Sequence, residues 1–220
     1  MSSRTYDRQR NELVDQLRRK GIEDERVLAA IAAVPRHEFV EPALRQRAYQ
    51  DEALPIGLKQ TISQPFTVAY QTALLRVRPG DKVLEVGTGS GYQAAVLCEL
   101  GARVFSIERH EALLERTRDL LDRLGYRVLT RFGDGTLGWS GPAPYDGIVV
   151  TAGGTEVPDP LLDQLRPGTP DTPGGRLVIP VGDADKQTML RITRTGPDHF
   201  QREEFLDFRF VPLVAEDGGR

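Results

Sequence analysis

The chain has 220 residues, 39% of them hydrophobic and 28% charged, which is enough apolar material for a packed core and excludes a disordered polymer. Basic residues number 29 against 32 acidic ones, so the net charge of −3 lacks the surplus of a sequence-independent nucleic-acid binder. A single cysteine, Cys98, excludes an internal disulfide framework and a multi-cysteine metal centre, and no apolar run approaches the ~18 residues of a membrane span.

The first fifty residues read as a helical extension. Leu13, Val14 and Leu17 recur at helix spacing, and Gly21 stops that helix. A second helix is predicted from Asp24 through Val27, Leu28 and Ile31, ending before Pro35. The pair serves as a packed cap or as a substrate lid. Residues 51–64 carry no long periodic segment and read as an irregular loop. Pro65 then opens a helix through Val68, Ala69, Leu74 and Leu75, closed by the Pro79-Gly80 turn.

From residue 82 short apolar runs alternate with helical segments. The runs are 83–86, 104–107, 128–132, 148–151 and 177–181; helices are expected over 94–100, 113–124 and 161–165. Strands spaced by helices predict an α/β, doubly wound, mostly parallel sheet. Two further strands, 188–195 and 205–214, are expected to be antiparallel at one side of it. Pro167–Gly175 is a loop, and the tail from Ala215 is expected to fray.

The strongest local signal is VLEVGTGSGYQAA, residues 83–95: an apolar strand, a glycine turn and a helix. Ligands sit beyond the carboxyl ends of strands in such sheets. A dinucleotide fingerprint needs G-x-G-x-x-G; Gly87 and Gly89 fit, but the third position falls on Tyr92. Glu85, just before the glycines, disfavours a pyrophosphate and suits a cationic ligand. S-adenosylmethionine has an ammonium, a sulfonium and no phosphate. Glu108, ending the next strand, is placed to accept from ribose hydroxyls. Asp134, within Gly133-Asp134-Gly135, is either an acceptor for an adenine amino group or a plain turn residue.

The chain resembles the protein-L-isoaspartate (D-aspartate) O-methyltransferase family over residues 26–214. The resemblance is carried by ALPIGLKQTISQPFTVA (53–69) above all, with VPRHEFV (34–40), FGDG (132–135), PYDGIVVTA (144–152), GGRLVIPVG (174–182) and RFVPLV (209–214) in family order. It implies a seven-stranded, Rossmann-like, S-adenosylmethionine-dependent fold in one methyltransferase domain. Its parts would be the helical extension (1–50), a substrate and cofactor loop with its helix (51–80), the cofactor-binding core (81–182) and C-terminal strands (183–214). The implied reaction is methyl transfer to the free α-carboxyl of L-isoaspartyl residues in damaged proteins and peptides, followed by spontaneous closure to a succinimide. The resemblance implies Ser63 as the catalytic residue. Ile56, Gly57, Leu58 and Lys59 correspond to the loop over the cofactor, and Glu85, Gly87, Thr88, Gly89, Glu108, Asp134 and Gly135 to the cofactor site. It calls for no metal. Two features depart from the family: Ala152-Gly153-Gly154 follows Thr151, and residues 169–172 look inserted.

The chemistry suits a chain without an evident base. An α-carboxyl, with a pKa near ~3.5, is already nucleophilic at neutral pH, so His37, His110 and His199 read as surface or structural residues. What remains to be supplied is alignment. Ser63 either orients the carboxylate or caps the helix entered at Pro65. Cys98 reads as a small buried apolar residue, and Trp139 as an adenine flank or local packing. Three rivals stand beside the main reading: a methyltransferase for a small molecule or RNA, a nicotinamide oxidoreductase, and a binding module without turnover. The charge balance and the lack of an N-terminal apolar segment predict a cytoplasmic monomer with no nucleic-acid or membrane partner.

Overall fold

A computed structural model describes residues 3–215; the rest of the tail expected to fray lies outside the described residues. Helix α1 spans Ser3–Arg19 and α2 spans Glu25–Ala33. Asp24 caps α2, its carboxylate accepting from the N–H groups of Arg26 and Val27 at 3.0 and 3.3 Å. Arg10 of α1 donates to the last carbonyls of α2, Ala32 and Ala33, at 3.0 and 3.1 Å. Leu13 and Leu17 are buried in one core with Val27, Leu28 and Ile31, as their spacing predicts, and Asp24, read as the first residue of the helix, stands just before it as its cap.

Residues 51–64 are not irregular. Strand β1 (Leu54–Gly57) pairs antiparallel with β2 (Gln60–Ile62), burying Leu54, Ile56 and Ile62. The turn between them holds Leu58 and Lys59 at φ +51° and +57°. Such a turn ordinarily carries Asn-Gly, and without that pair these short strands leave no hairpin signal. Helix α3 (Pro65–Leu75) follows directly.

The main sheet comprises β3 (Lys82–Val86), β4 (Arg103–Glu108), β5 (Val128–Phe132), β6 (Gly147–Val150), β7 (Arg176–Gly182), β8 (Gln187–Arg194) and β9 (Phe200–Phe208). Helices α4 (Tyr92–Glu99), α5 (Glu111–Arg123) and α6 (Asp159–Asp163) lie among the parallel strands. Strand order is β5-β4-β3-β6-β7-β8-β9, parallel through β7 and antiparallel for β8 and β9. Separate apolar cores form, one holding the N-terminal helices and α3. Chain order reverses at β3, between β4 and β6, which opens a crevice at the carboxyl ends of these strands. Among the described residues no helix is long and apolar enough to cross a membrane.

The last strand differs from the expectation of 205–214. FQREEFLDF, at the sheet edge, pairs with β8 while exposing most of its residues, so its charges hide it from a hydrophobic reading. The apolar residues beyond it leave the sheet. The Gly153 N–H donates to Val211 O and the Leu213 N–H to Gly153 O, both at 2.8 Å, which lays 211–213 across the end of β6.

Candidate active site

The glycine turn after β3 is fixed by close approach. Gly87 has φ +95°, and a Cβ there would stand 2.5 Å from Thr151 Oγ1. That hydroxyl sits 2.7 Å from Gly87 O and 3.0 Å from Val86 O, donating between them and tying the turn to the end of β6. Gly135, in the turn after β5, is equally constrained, since a Cβ would meet Val86 Cγ1 at 2.4 Å. These turns border an open cavity with about 970 Å³ of atom-free space. Ser63, Glu85, Gly87, Thr88, Gly89, Glu108 and Gly135 all line it.

Glu85 has no solvent exposure. Its Oε2 accepts from the Ser106 hydroxyl, and Thr88 Oγ1 completes the chain 2.6 Å from Ser106 Oγ. Its Oε1 is buried without a partner. Burial pushes the Glu85 carboxyl up to about 8; the Ser106 hydrogen bond opposes this and the charge of Glu108 adds to it. A cation beside Oε1 would favour the ionised form. Glu108 is anchored differently. Its Oε2 accepts from the Gly89 N–H at 2.8 Å and its Oε1 from the His110 N–H at 3.0 Å. Each oxygen keeps a second lone pair.

Other predicted residues fall outside the lining. Asp134 Oδ1 accepts from the N–H and hydroxyl of Thr136 at 2.8 and 2.7 Å, capping the turn Gly135–Leu137. Ile56 is buried 3.7 Å from the Cβ position of Gly89, packing behind the glycine turn. Gly57, Leu58 and Lys59 form the exposed hairpin tip. The cavity wall is made instead by the next residues, Gln60, Thr61 and Ile62, ahead of Ser63. These and Val211–Val214 are lining residues that the sequence reading missed; treating 51–64 as a loop and 205–214 as a strand hid both.

Ser63 stands between β2 and α3, on a wall shared by the cavity and a second pocket. Thr61, Thr151 and Val211 also belong to both. The second pocket presents Phe66, Phe208, Phe210 and the exposed Arg209. Ser63 does not cap α3. Gln64 holds the cap position without a side-chain bond, and the Phe66 N–H is taken by Asp51 Oδ1 at 2.7 Å.

The remaining candidates resolve simply. Trp139 packs edge-on against Phe105 at 5.8 Å, outside the cavity. Cys98 is partly buried, its thiol pushed up to about 12 by desolvation. His37 stacks on Tyr6 and bonds Tyr49 Oη at 2.7 Å, whereas His110 borders the cavity. Gly153 and Gly154 join the end of β6 to 211–213 and to Val181. Residues 169–172 line a different pocket, with Arg76, Arg176 and Arg191. Among the described residues no group of three or more His, Cys, Asp or Glu could hold a metal ion.

The seven-stranded, mostly parallel sheet, with its glycine turn and strand-end acids, is the Rossmann-like fold of the S-adenosylmethionine-dependent methyltransferases. The sequence profile of the Protein-L-isoaspartate(D-aspartate) O-methyltransferase (PCMT) family matches residues 8–218. The chain belongs to that family. It is 68% identical over 220 residues to the protein-L-isoaspartate O-methyltransferase of Salinibacter ruber, covering 98% of this chain and 96% of the relative. Its identity to the Cytophaga hutchinsonii enzyme of the same name is 53%, over 95% of this chain and 92% of the other. A solved protein-L-isoaspartate O-methyltransferase superposes with a TM-score of 0.81 at 28% identity, covering 94% of this chain and 66% of that one. A Plasmodium falciparum structure, solved with S-adenosyl-L-homocysteine, shares the fold with a TM-score of 0.78 at 24% identity, covering 93% of this chain and 98% of that one.

Proposed function

We propose that this chain transfers the methyl group of S-adenosylmethionine to the free α-carboxylate of L-isoaspartyl residues in damaged proteins and peptides, and so starts their repair. The observation that carries this reading is the position of Ser63, on the wall common to an acid-lined cavity and a second open pocket.

The cavity fits the cofactor. The unpartnered Oε1 of buried Glu85 suits an ammonium group, the lone pairs of Glu108 suit ribose hydroxyls, and Gly87 and Gly135 keep side chains out of the way. S-adenosylmethionine supplies a methyl group activated by its sulfonium. The chain's own residues bind and align. In this reading Ser63 Oγ hydrogen-bonds the acceptor carboxylate, whose ionised form needs no base. Holding reacting atoms ~3–3.5 Å apart and in line accounts for several kcal/mol of barrier. The second pocket is lined by one cation, Arg209, which pairs with Asp185 at 3.3 Å, and by one carboxylate, Asp207. The methyl ester carries a better leaving group than the free carboxylate, so the following peptide nitrogen attacks the ester carbonyl, loses its proton and expels methanol, closing the succinimide without help from the protein.

An enzyme of the cytoplasm acting on proteins and not on nucleic acid completes the reading, supported by the net charge of −3 and the single cysteine. The test offers methyl-labelled S-adenosylmethionine with a peptide carrying one isoaspartyl residue, beside its normal aspartyl counterpart. Base-labile label on the isoaspartyl peptide alone is the expected result. Cofactor binding by calorimetry with no label on either peptide would redirect the search to other acceptors.

A further inference from the structure

Arg36 has no solvent exposure and lies in the 3₁₀ turn Arg36–Glu38 after α2. A buried arginine normally faces a carboxylate. This one faces main-chain carbonyls. Its Nε donates to Ala48 O at 2.8 Å, and its Nη2 to Ser63 O at 2.8 Å and to Glu52 O at 3.5 Å. The guanidinium carbon stands 4.6 Å from the centre of the Tyr92 ring. Tyr92 opens α4 directly after the glycine turn and lines the cofactor cavity. One rigid, planar group therefore touches both Ser63 and Tyr92, two residues of the cavity lining.

The other end of the same turn is clamped by an anion. Asp51, with its side chain 2% exposed, accepts the Phe66 N–H at 2.7 Å and pairs with Lys20 Nζ at 2.6 Å. Ser63 is thus pulled at its carbonyl by a cation, while three residues on an N–H is held by a carboxylate. Neither clamp uses the serine hydroxyl, which stays available to the cavity.

We infer that Arg36 is a positioning residue for the methyl transfer: by donating to Ser63 O while its guanidinium is stacked on the Tyr92 ring, it sets where the Ser63 hydroxyl stands relative to the cofactor. The inference rests on the reading of Ser63 given above. It is more specific than a structural role, because it demands that the effect of Arg36 on turnover pass through Ser63.

A double-mutant cycle on the full chain tests it. Arg36→Lys keeps a charge but loses the fork that spans the carbonyls. The readouts are kcat with an isoaspartyl peptide, Kd for S-adenosylhomocysteine by calorimetry, and melting temperature. Arg36→Lys is expected to lower kcat by about tenfold or more, as a small misplacement of an aligning group does, with Kd changed less than about threefold. In a Ser63→Ala background the same substitution is expected to cost less than about twofold. Equal fold-losses in both backgrounds would overturn the inference and leave Arg36 a fold residue; so would an unchanged kcat, or a loss confined to cofactor binding. Ser63→Ala alone at full kcat would sink the serine reading first, which separates the two failures. If the lysine variant does not fold, Arg36→Gln, which keeps an N–H donor without a buried charge, is put through the same cycle.

Discussion

Ser106, on β4, donates its hydroxyl hydrogen to Glu85 Oε2 on β3, and the other oxygen, Oε1, is buried without a partner at hydrogen-bond distance, the backbone N–H of Ala94 giving the carboxyl only weak support. The carboxyl is consequently pushed from 4.5 up to about 8, chiefly by burial. Between those pH values the folded protein binds a proton at Glu85 that the unfolded chain has released, so stability falls as pH rises through the window. A cationic ligand reverses the preference. Binding S-adenosylmethionine is expected to release a proton from Glu85 near neutral pH and to tighten as pH rises towards 8. Calorimetry in buffers of different ionisation enthalpy measures that proton. Comparing wild type with Glu85→Gln separates it from the ligand's own amino group. Equal proton release by the two proteins would refute the prediction.

Ser63 and Asp51 divide two tasks that a lone serine before a helix could have combined. Because Asp51 takes the Phe66 N–H, Ser63→Ala should leave the melting temperature nearly unchanged while lowering kcat. Asp51→Ala removes the bond to α3 and the pairing with Lys20, and should cost about 1 kcal/mol or more. Denaturation of the two variants, beside their turnover, checks the division. A large stability loss in Ser63→Ala would return that residue to a structural role.

The centre of the parallel core was legible because its strands are buried on both faces and read as continuous apolar runs, as in Ile148–Val150. Glu85, Glu108 and the glycines were legible for a related reason: strand ends fix where they stand. Two walls of the site were not. Gln60–Ile62 belongs to a hairpin whose turn lacks the usual residues, and Val211–Val214 is apolar because it covers the cavity, which a periodicity argument takes for a strand. The Arg36–Ser63 bond joins residues 27 apart through a side chain and a carbonyl, a pairing with no local pattern.

Gly135 offers a steric test of how tightly the cavity floor is built. Its backbone does not need glycine for its φ angle; the constraint is Val86 Cγ1, 2.4 Å from the Cβ position. Gly135→Ala should destabilise by about 1–3 kcal/mol through overpacking and weaken S-adenosylhomocysteine binding. Val86→Ala opens the space, so the double variant should lose less than the sum of the singles. Strict additivity in denaturant unfolding would show that the floor relaxes elsewhere.

The hairpin tip carries strain that substitution can release. Leu58 and Lys59 occupy consecutive left-handed positions, and Leu58 is also 55% exposed, so it gains little from burial in return. For residues with a Cβ this region costs roughly 1–2 kcal/mol each. Asn-Gly is the pair that such a two-residue turn accepts most readily. Leu58→Asn with Lys59→Gly should therefore stabilise the protein by about 1 kcal/mol, glycine's extra freedom in the unfolded chain taking back part of the gain. Lys59→Gly alone tests the second position without altering the exposed apolar side chain. The measurement is the midpoint of denaturant unfolding at constant slope. A lowered midpoint would mean that contacts made by Leu58 or Lys59 outweigh the backbone cost of holding them there.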